Sequence, residues 1–237
     1  MWGSTKFLVT PPNLSTAPGV FRWKYVRGLL SPFENATTPR DFSPCGVNHR
    51  VQNVFAMTHG MVRATARMAT SPNEMEALLS GRLHALAKAH ALVRRDFVSG
   101  LDTADLASLI REIVLPHNMD DAARRITIEG SPLRSSSRSS TRLALVLHEL
   151  TTNAAKYGAL SGPGGKVAIT WRSQDDKLIL NWREHGGPPV KAQPQTKGSG
   201  SALIHSTIVS QGAGEVEYDW RSHGLAVTIS MPLSALD

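Results

Sequence analysis

Apolar residues recur at every third or fourth position in two stretches of the first half of the chain. The first stretch runs from Val47 to Met68 and the second from Met75 to Val93. This spacing is the period of an amphipathic α-helix. The intervening segment Ser71-Pro72-Asn73-Glu74 supplies a capping side chain and a proline suited to a first helical turn. The pattern therefore predicts an antiparallel hairpin of two long helices.

A single hairpin cannot bury two apolar stripes on its own, so we expect two copies of the chain to pair into a four-helix bundle. The second half of the chain alternates between helical and strand periods. After a helix over Thr103–Val114, the patterns predict a strand, a long helix, two strands, a helix and two final strands. Their ranges, in that order, are Ile126–Glu129, Ser139–Tyr157, Lys166–Arg172, Lys177–Arg183, Ser201–Gln211, Glu215–Trp220 and Leu225–Met231. Because hairpins dominate this half, we predict an α+β fold with a mixed sheet and helices on one face.

Length and composition divide the chain into three predicted parts. Its 237 residues suffice for one or two domains. Residues 1–46 are proline-rich without a period and predict a poorly ordered arm, followed by the hairpin at 47–100 and the α/β unit at 101–237. The single cysteine, Cys45, excludes an internal disulfide and favours a reducing compartment. Since the sequence shows neither an 18-residue apolar run nor a secretory signal, we expect a cytosolic protein without a membrane span.

The formal net charge of +7 favours an anionic partner. The basic residues do not form a stripe with interleaved aromatics, and the sequence contains no zinc-finger spacing, so nucleic acid is the least favoured of these partners. A nucleoside triphosphate or an acidic protein surface accounts for the charge equally well.

The predicted helix at 139–157 carries a polar face beside its apolar one. At about 100° per residue, Glu149, Asn153 and Lys156 fall within roughly 60° of one another. A carboxylate, an amide and an ammonium group in this arrangement can orient a nucleophile, hold hydrated magnesium and contact phosphate, as phosphoryl transfer requires. An ordinary solvated helix face is the alternative interpretation of the same three residues.

Three familiar motifs are excluded by single residues. A zinc protease needs a second histidine where Thr152 stands, and a Walker phosphate loop needs glycine where Leu160 stands. The dinucleotide fingerprint needs a third glycine where Leu203 stands.

Two glycine turns remain. In the first, Glu184 ends a strand before Gly186, so its carboxylate can accept a hydrogen bond from an exocyclic amine such as that of adenine. In the second, Gly198 and Gly200 precede a helix, whose first N–H groups can bind phosphate. The segment Pro188–Lys197 between them has the composition of a mobile lid.

Together these features resemble the HWE histidine kinases, named for a histidine in the helix box and a Trp-x-Glu before the first glycine turn. Four stretches in the family's order carry the resemblance: NHRVQN (48–53), RLHALAKAH (82–90), HELTTNAAKYGALS (148–161) and WRE (182–184). The similarity covers residues 47 to 233. It implies a dimerisation and phosphotransfer hairpin followed by an ATP-binding sandwich of the GHKL (Bergerat) type.

The resemblance also implies roles for individual residues. It makes His49 the phosphorylated nucleophile and Glu149 a catalytic assistant, and it places Asn153 on Mg²⁺ within the ATP site. The other residues expected around the nucleotide are Lys156, Tyr157, Glu184, Gly186, Gly198 and Gly200. The implied activity is that of an ATP-dependent protein histidine kinase, which forms a homodimer and passes its phosphoryl group to an aspartate of a response-regulator receiver domain.

The sequence departs from the family at the phosphoacceptor box, at the second glycine turn and in the segment before the hairpin. Gln52 stands in place of a lysine, without an acidic residue just before His49, and Ser199 stands in place of a phenylalanine. Members of the family usually carry a sensor domain where this sequence has only the arm, so we expect the input signal to come from a partner protein or from sequence beyond the given residues. A catalytically silent phosphotransfer or scaffold protein that binds a response regulator is the alternative function, against which the presence of Glu149, Asn153 and Glu184 argues.

Overall fold

The computed structural model describes residues 44–98, 103–115, 125–189 and 198–237 of the chain. The elements are, in order, α1 (Pro44–Met68), α2 (Pro72–Val98), β1 (Thr103–Asp105), α3 (Leu106–Val114), β2 (Ile126–Gly130), β3 (Arg134–Ser136), α4 (Ser137–Lys156), β4 (Lys166–Gln174), β5 (Lys177–His185), α5 (Ser199–Ile208), β6 (Glu215–Arg221) and β7 (Gly224–Pro232). The predicted arm lies outside the described residues except for positions 44–46, which already belong to α1 because Pro44 suits a first helical position.

The predicted helical hairpin is confirmed, and its turn is capped as the sequence indicates. Ser71 Oγ accepts a hydrogen bond from the Glu74 N–H at 3.2 Å, and the Glu74 carboxylate accepts one from the Thr70 N–H at 2.7 Å. The first bond satisfies a backbone donor in the first turn of α2, and the second ties the residue before the cap to the same turn.

Part of the apolar surface of α2 is buried within the same chain. Ala85, Ala89 and Leu92 belong to one core with Leu143 and Leu147 of α4. Leu83, which belongs to the predicted stripe, is 42% exposed, so these contacts within the chain leave part of the stripe uncovered. Pairing into a four-helix bundle stays a prediction. In the described part of the chain, no helix is both long and apolar enough to cross a bilayer.

The helix predicted over Thr103–Val114 begins three residues later than expected. Residues 103–105 form β1, which pairs antiparallel with β3, a strand that the sequence analysis missed. Asp105 ends the strand and caps α3, because its carboxylate accepts a hydrogen bond from the Ser108 N–H at 2.8 Å. An aspartate at this position stabilises a helix start, and this signal could have been used.

The α+β fold with a mixed sheet is confirmed. The five strands lie in the order β2-β4-β5-β7-β6, in which β2 and β4 are parallel and the other pairs are antiparallel. Alternate residues of β4, β5 and β7 face a common core with α4 and α5. On β5 this inward row consists of Leu178, Leu180, Trp182 and Glu184. The alternation of the strand therefore places the Glu184 carboxylate at the end of the apolar core.

Candidate nucleotide site

Glu184 is a buried acceptor at the end of β5. Only 4% of the residue is exposed, and its two oxygens accept hydrogen bonds from the Ala159 N–H at 2.8 Å and from Trp182 Nε1 at 3.0 Å. Burial raises the pKa of Glu184 above its usual value of 4.5, and these two hydrogen bonds oppose the rise. Within the WRE stretch, the tryptophan thus holds the glutamate in place and favours its charged form.

The raised pKa of Glu184 predicts a pH dependence of folding. Below pH 4.5 the carboxyl is protonated in both states, and its contribution to stability is fully present. That contribution is lost as the pH rises through the folded-state pKa. We expect wild type to lose stability relative to Glu184→Gln from pH 4.5 upward until the folded-state pKa is passed. Urea unfolding of both proteins between pH 4 and 8 measures this difference, and a gain of wild type over the variant with rising pH would contradict it.

Gly158 brings the end of α4 against Glu184. A Cβ atom at Gly158 would overlap Oε2 of Glu184, so a larger residue would displace the carboxylate. Steric space therefore requires glycine at position 158, directly after α4. It allows the Ala159 N–H to reach the carboxylate directly.

A cavity of about 300 Å³ adjoins Glu184 and is large enough for a purine ring. It lies between the end of α4, the turn after β5, the start of α5 and the edge strand β6. Its lining residues are Leu150, Asn153, Tyr157, Gly158, Ala159, Glu184, Gly187, Pro188, Gly198, Ser201, Ile204, Tyr218, Trp220, Gly224 and Leu225. The cavity thus has a buried carboxylate in one wall and the amino-terminal end of a helix in another.

The fold brings four of the predicted site residues together. Asn153, Tyr157, Glu184 and Gly198 all line the cavity, although they come from three separate segments. The predicted lid lies outside the described residues from position 190 to 197. His49 lies in the first third of α1, and its side chain is outside the described part.

Three predicted residues lie elsewhere in the described structure. Lys156 is exposed and lies off the cavity wall. Gly186 has a φ of +72° and packs beside Gly164 and Gly165, so it makes the turn after β5, while Gly187 lines the cavity. Gly200 lies against Glu149 and Asn153, because a Cβ atom there would be 2.5 Å from Glu149 Oε2 and 3.4 Å from Asn153 Nδ2.

Glu149 is paired with an arginine of the hairpin. Arg82 of α2 donates from Nε to Glu149 Oε1 at 2.7 Å and from Nη2 to Oε2 at 3.0 Å. The arginine is fully buried, and the glutamate is 5% exposed. The carboxylate is therefore engaged on both oxygens, one helical turn before Asn153.

The donor set fits a magnesium ion that arrives with a nucleotide. Asn153 offers an amide oxygen at the cavity, and Glu149 lies next to it under Gly200. Among the described residues, no three His, Cys, Asp or Glu side chains cluster as a metal site. Magnesium is commonly held by one or two protein groups together with substrate phosphates, so this sparse set is suitable.

Sequence reasoning missed two classes of residue at this site. Tyr218 and Trp220 of β6 stack at a centroid distance of 6.3 Å and form an aromatic wall. Their alternation with charged residues along β6 was visible, but which face of the edge strand meets the cavity was not. Arg82 stood within a recognised stretch, yet its partner lies 67 positions away.

The HWE histidine kinase family profile matches residues 46–132. Blue-light-activated histidine kinase 1 of Erythrobacter litoralis is 35% identical over 189 residues, which make up 79% of this chain and 52% of the relative. The blue-light-activated histidine kinase of Brucella anthropi is 32% identical over 193 residues, or 80% of this chain and 38% of the relative. The chain thus spans about half or less of the length of these relatives.

Solved structures show the same fold. The histidine kinase domain of the Erythrobacter litoralis blue-light-activated histidine kinase EL346 superposes with a TM-score of 0.54 at 16% identity and covers 77% of this chain and 97% of that one. A longer structure of that kinase gives a TM-score of 0.56 at 19% identity, over 84% of this chain and 66% of that one. The predicted combination of a helical hairpin and a GHKL-type sandwich is confirmed.

Proposed function

We propose that this chain, which belongs to the HWE histidine kinases, autophosphorylates His49 from Mg²⁺-ATP and transfers the phosphoryl group to an aspartate of a response-regulator receiver domain. One observation carries the proposal. A purine-sized cavity has the buried acceptor Glu184 in one wall and the Gly198 entry to α5 in another, with Asn153 on the helix between them. Adenine and phosphate need these two different environments.

Each end of the cavity suits one part of the nucleotide. The Glu184 carboxylate can accept a hydrogen bond from the adenine amine, and the ring would pack against the stacked pair Tyr218 and Trp220. At the other end, α5 begins after Gly198, and its free N–H groups attract phosphate oxygens. Asn153 would hold the magnesium ion, which neutralises phosphate charge during transfer.

The proposed reaction is a displacement at phosphorus. A ring nitrogen of His49 forms a bond to the γ-phosphorus while the bond to the β,γ-bridging oxygen breaks and ADP leaves with the electron pair. An ordinary imidazole has a pKa near 6.5, so most of it carries a free lone pair at pH 7. The product is a phosphoramidate, which can pass the phosphoryl group on to a carboxylate.

The test is transfer of label from γ-labelled ATP to the purified chain with Mg²⁺. We expect acid-labile, base-stable label on wild type, and none on His49→Ala or Asn153→Ala. His59→Ala is the matched control, because His59 is an exposed histidine of the same helix. Label that survives His49→Ala would refute the assignment. Intact nucleotide binding without any label would favour the silent phosphotransfer or scaffold protein instead.

Dimerisation remains part of the proposal and is supported by exposed apolar side chains on the hairpin. Phe55 of α1 is 69% exposed and Leu83 of α2 is 42% exposed. Both side chains can pack against a second hairpin, and burying their apolar surface there would favour the dimer. Light scattering after size exclusion should give a dimer for wild type and a monomer for the Phe55→Glu/Leu83→Glu variant, and a wild-type monomer would contradict the proposal.

The Tyr218 hydroxyl provides a separate prediction for nucleotide binding. Its oxygen is buried without a hydrogen-bond partner among the described residues, and burial raises its pKa to about 12. We expect Tyr218→Phe to leave the free protein at least as stable, because the unsatisfied group is removed. If the hydroxyl donates to bound nucleotide, the affinity for ADP falls by about 3- to 10-fold, corresponding to one hydrogen bond. Calorimetric titration measures the affinity for ADP. An unchanged affinity would show that the Tyr218 hydroxyl does not bind the nucleotide.

A further inference from the structure

Four helices meet at the guanidinium group of Arg82. Besides its two bonds to Glu149 of α4, Nη1 donates to Thr65 Oγ1 of α1, and Nη2 lies 3.4 Å from Ser199 Oγ at the start of α5. Thr65 is itself fixed, since its hydroxyl donates to the Met61 carbonyl oxygen at 2.7 Å. One side chain therefore joins both helices of the hairpin to both helices that border the phosphate end of the cavity.

This pairing closes Glu149 off from the cavity. Both of its oxygens accept hydrogen bonds from Arg82, and Gly200 covers Oε2. Asn153, one turn further along α4, lines the cavity, whereas Glu149 does not. In this arrangement the Glu149 carboxylate faces Arg82 and not the cavity.

A buried carboxylate needs a cation beside it, because an unpaired charge in the protein interior is strongly unfavourable. Within the described residues, Arg82 is the cation that pairs with Glu149. A magnesium ion held by Asn153 at the neighbouring turn would be a second cation within reach of the same helix face. Arg82 and the magnesium ion would then be alternative partners of the Glu149 carboxylate.

We propose that Arg82 is a positioning residue that competes with nucleotide-bound magnesium for Glu149, so that docking of the hairpin on α4 and loading of the site with Mg²⁺-nucleotide oppose each other. The inference rests on the proposed function and extends it to the control of the same site. Arg82 holds α2 on α4 while it is paired with Glu149. When Glu149 turns to the metal, Arg82 loses its main partner and the hairpin that carries His49 is released.

Thermodynamic linkage makes the competition measurable. If Arg82 and the metal exclude each other at Glu149, removing Arg82 must strengthen metal-dependent binding by the same factor by which the metal weakens the Arg82 contact. Binding of ligands that do not use Glu149 must stay unchanged. An arginine with a merely structural role would instead affect all ligands alike.

The experiment compares dissociation constants for adenosine, for ADP with chelator and for ADP with Mg²⁺ in wild type and Arg82→Gln. We expect the variant to bind Mg²⁺-ADP at least about fivefold more tightly, the lower range of typical coupling. Adenosine and metal-free ADP should stay within about twofold. Equal changes for all three ligands, or no change for any, would overturn the inference. If wild type bound none of them, the proposed function itself would fail.

Arg134→Gln is the matched control. Arg134, which lies in the α/β unit (101–237), also binds α2 through Asp96 at 2.6 Å, but this pair is partly exposed and does not contact Glu149. We expect the control variant to bind all three ligands as wild type does. A Mg²⁺-specific gain in Arg134→Gln would show that loosening α2 at any point suffices, and would remove the specific role of Arg82.

Hydrogen exchange gives a second readout that does not depend on Arg82→Gln being folded. In wild type, Mg²⁺-ADP should speed exchange of the α2 amides around residues 79–86, whereas adenosine should not. In Glu149→Gln the carboxylate charge is absent, so Mg²⁺-ADP should no longer change α2 exchange. Slower α2 exchange on binding Mg²⁺-ADP would contradict the competition.

Discussion

Replacing Arg82 by methionine is expected to lower the free energy of unfolding by about 3–5 kcal/mol, the cost of breaking a buried ion pair from one side. Methionine keeps most of the volume of the arginine stem but removes the guanidinium group, which donates hydrogen bonds to Glu149, Thr65 and Ser199. The Glu149 carboxylate would then remain buried without a cation. Urea unfolding followed by circular dichroism measures the loss.

The Arg82→Met/Glu149→Leu double variant is the control for this prediction. Replacing both members of a buried ion pair by apolar groups is often close to neutral, because neither charge has to be desolvated. We expect the double variant to regain most of the stability that Arg82→Met loses. A double variant as unstable as the single one would show that packing around Arg82, and not the unpaired carboxylate, determines the cost.

The second large effect is expected at Trp182, whose side chain is fully buried in the sheet core. Trp182→Ala removes the indole and leaves a cavity, which costs about 3–5 kcal/mol at fully buried aromatic positions. It also removes the Nε1 donor to Glu184 Oε1. We therefore expect the variant to lose both stability and nucleotide affinity, as measured by thermal unfolding and by titration with ADP.

Trp182→Phe separates the two contributions. Phenylalanine fills part of the space but cannot donate a hydrogen bond, so the buried Glu184 carboxyl loses one partner and keeps the Ala159 N–H. We expect a smaller loss of stability than in Trp182→Ala, together with a further rise of the Glu184 pKa, because burial is then opposed by one hydrogen bond fewer. An unchanged Glu184 pKa would show that the indole does not control the carboxyl.

The long elements of this fold were predictable because each has a period that only one secondary structure satisfies. The alternation on β5 and β7 and the apolar arc of α4 all appear where the sequence indicates them. Strands β1 and β3 were missed because each has three residues, too few to show a period. Their pairing depends on a contact across about 30 positions, which local patterns do not contain.

The candidate site was predictable only in part, for a related reason. Asn153, Glu184 and Gly198, which line the cavity, were singled out from the sequence because motifs place chemically distinctive residues at short, fixed spacings. Tyr218 and Trp220 were missed, since an edge strand acquires a binding face only when its neighbours are in place. That part of α2 packs on α4 of the same chain was likewise not visible in the local pattern, because the two helices are distant in sequence.

The sequence by itself determined the local features: where the long helices and strands form, which turns need glycine, and which side chains have the chemistry expected of a nucleotide site. These follow from backbone geometry and side-chain chemistry within a few residues of each other. Tertiary structure alone decided that Trp182 and Ala159 hold Glu184, that β6 forms an aromatic wall, and that Arg82 neutralises Glu149. Burial and pairing depend on contacts between residues that are distant in sequence. These contacts decide which polar side chains are hydrogen-bonded within the protein and which face the cavity.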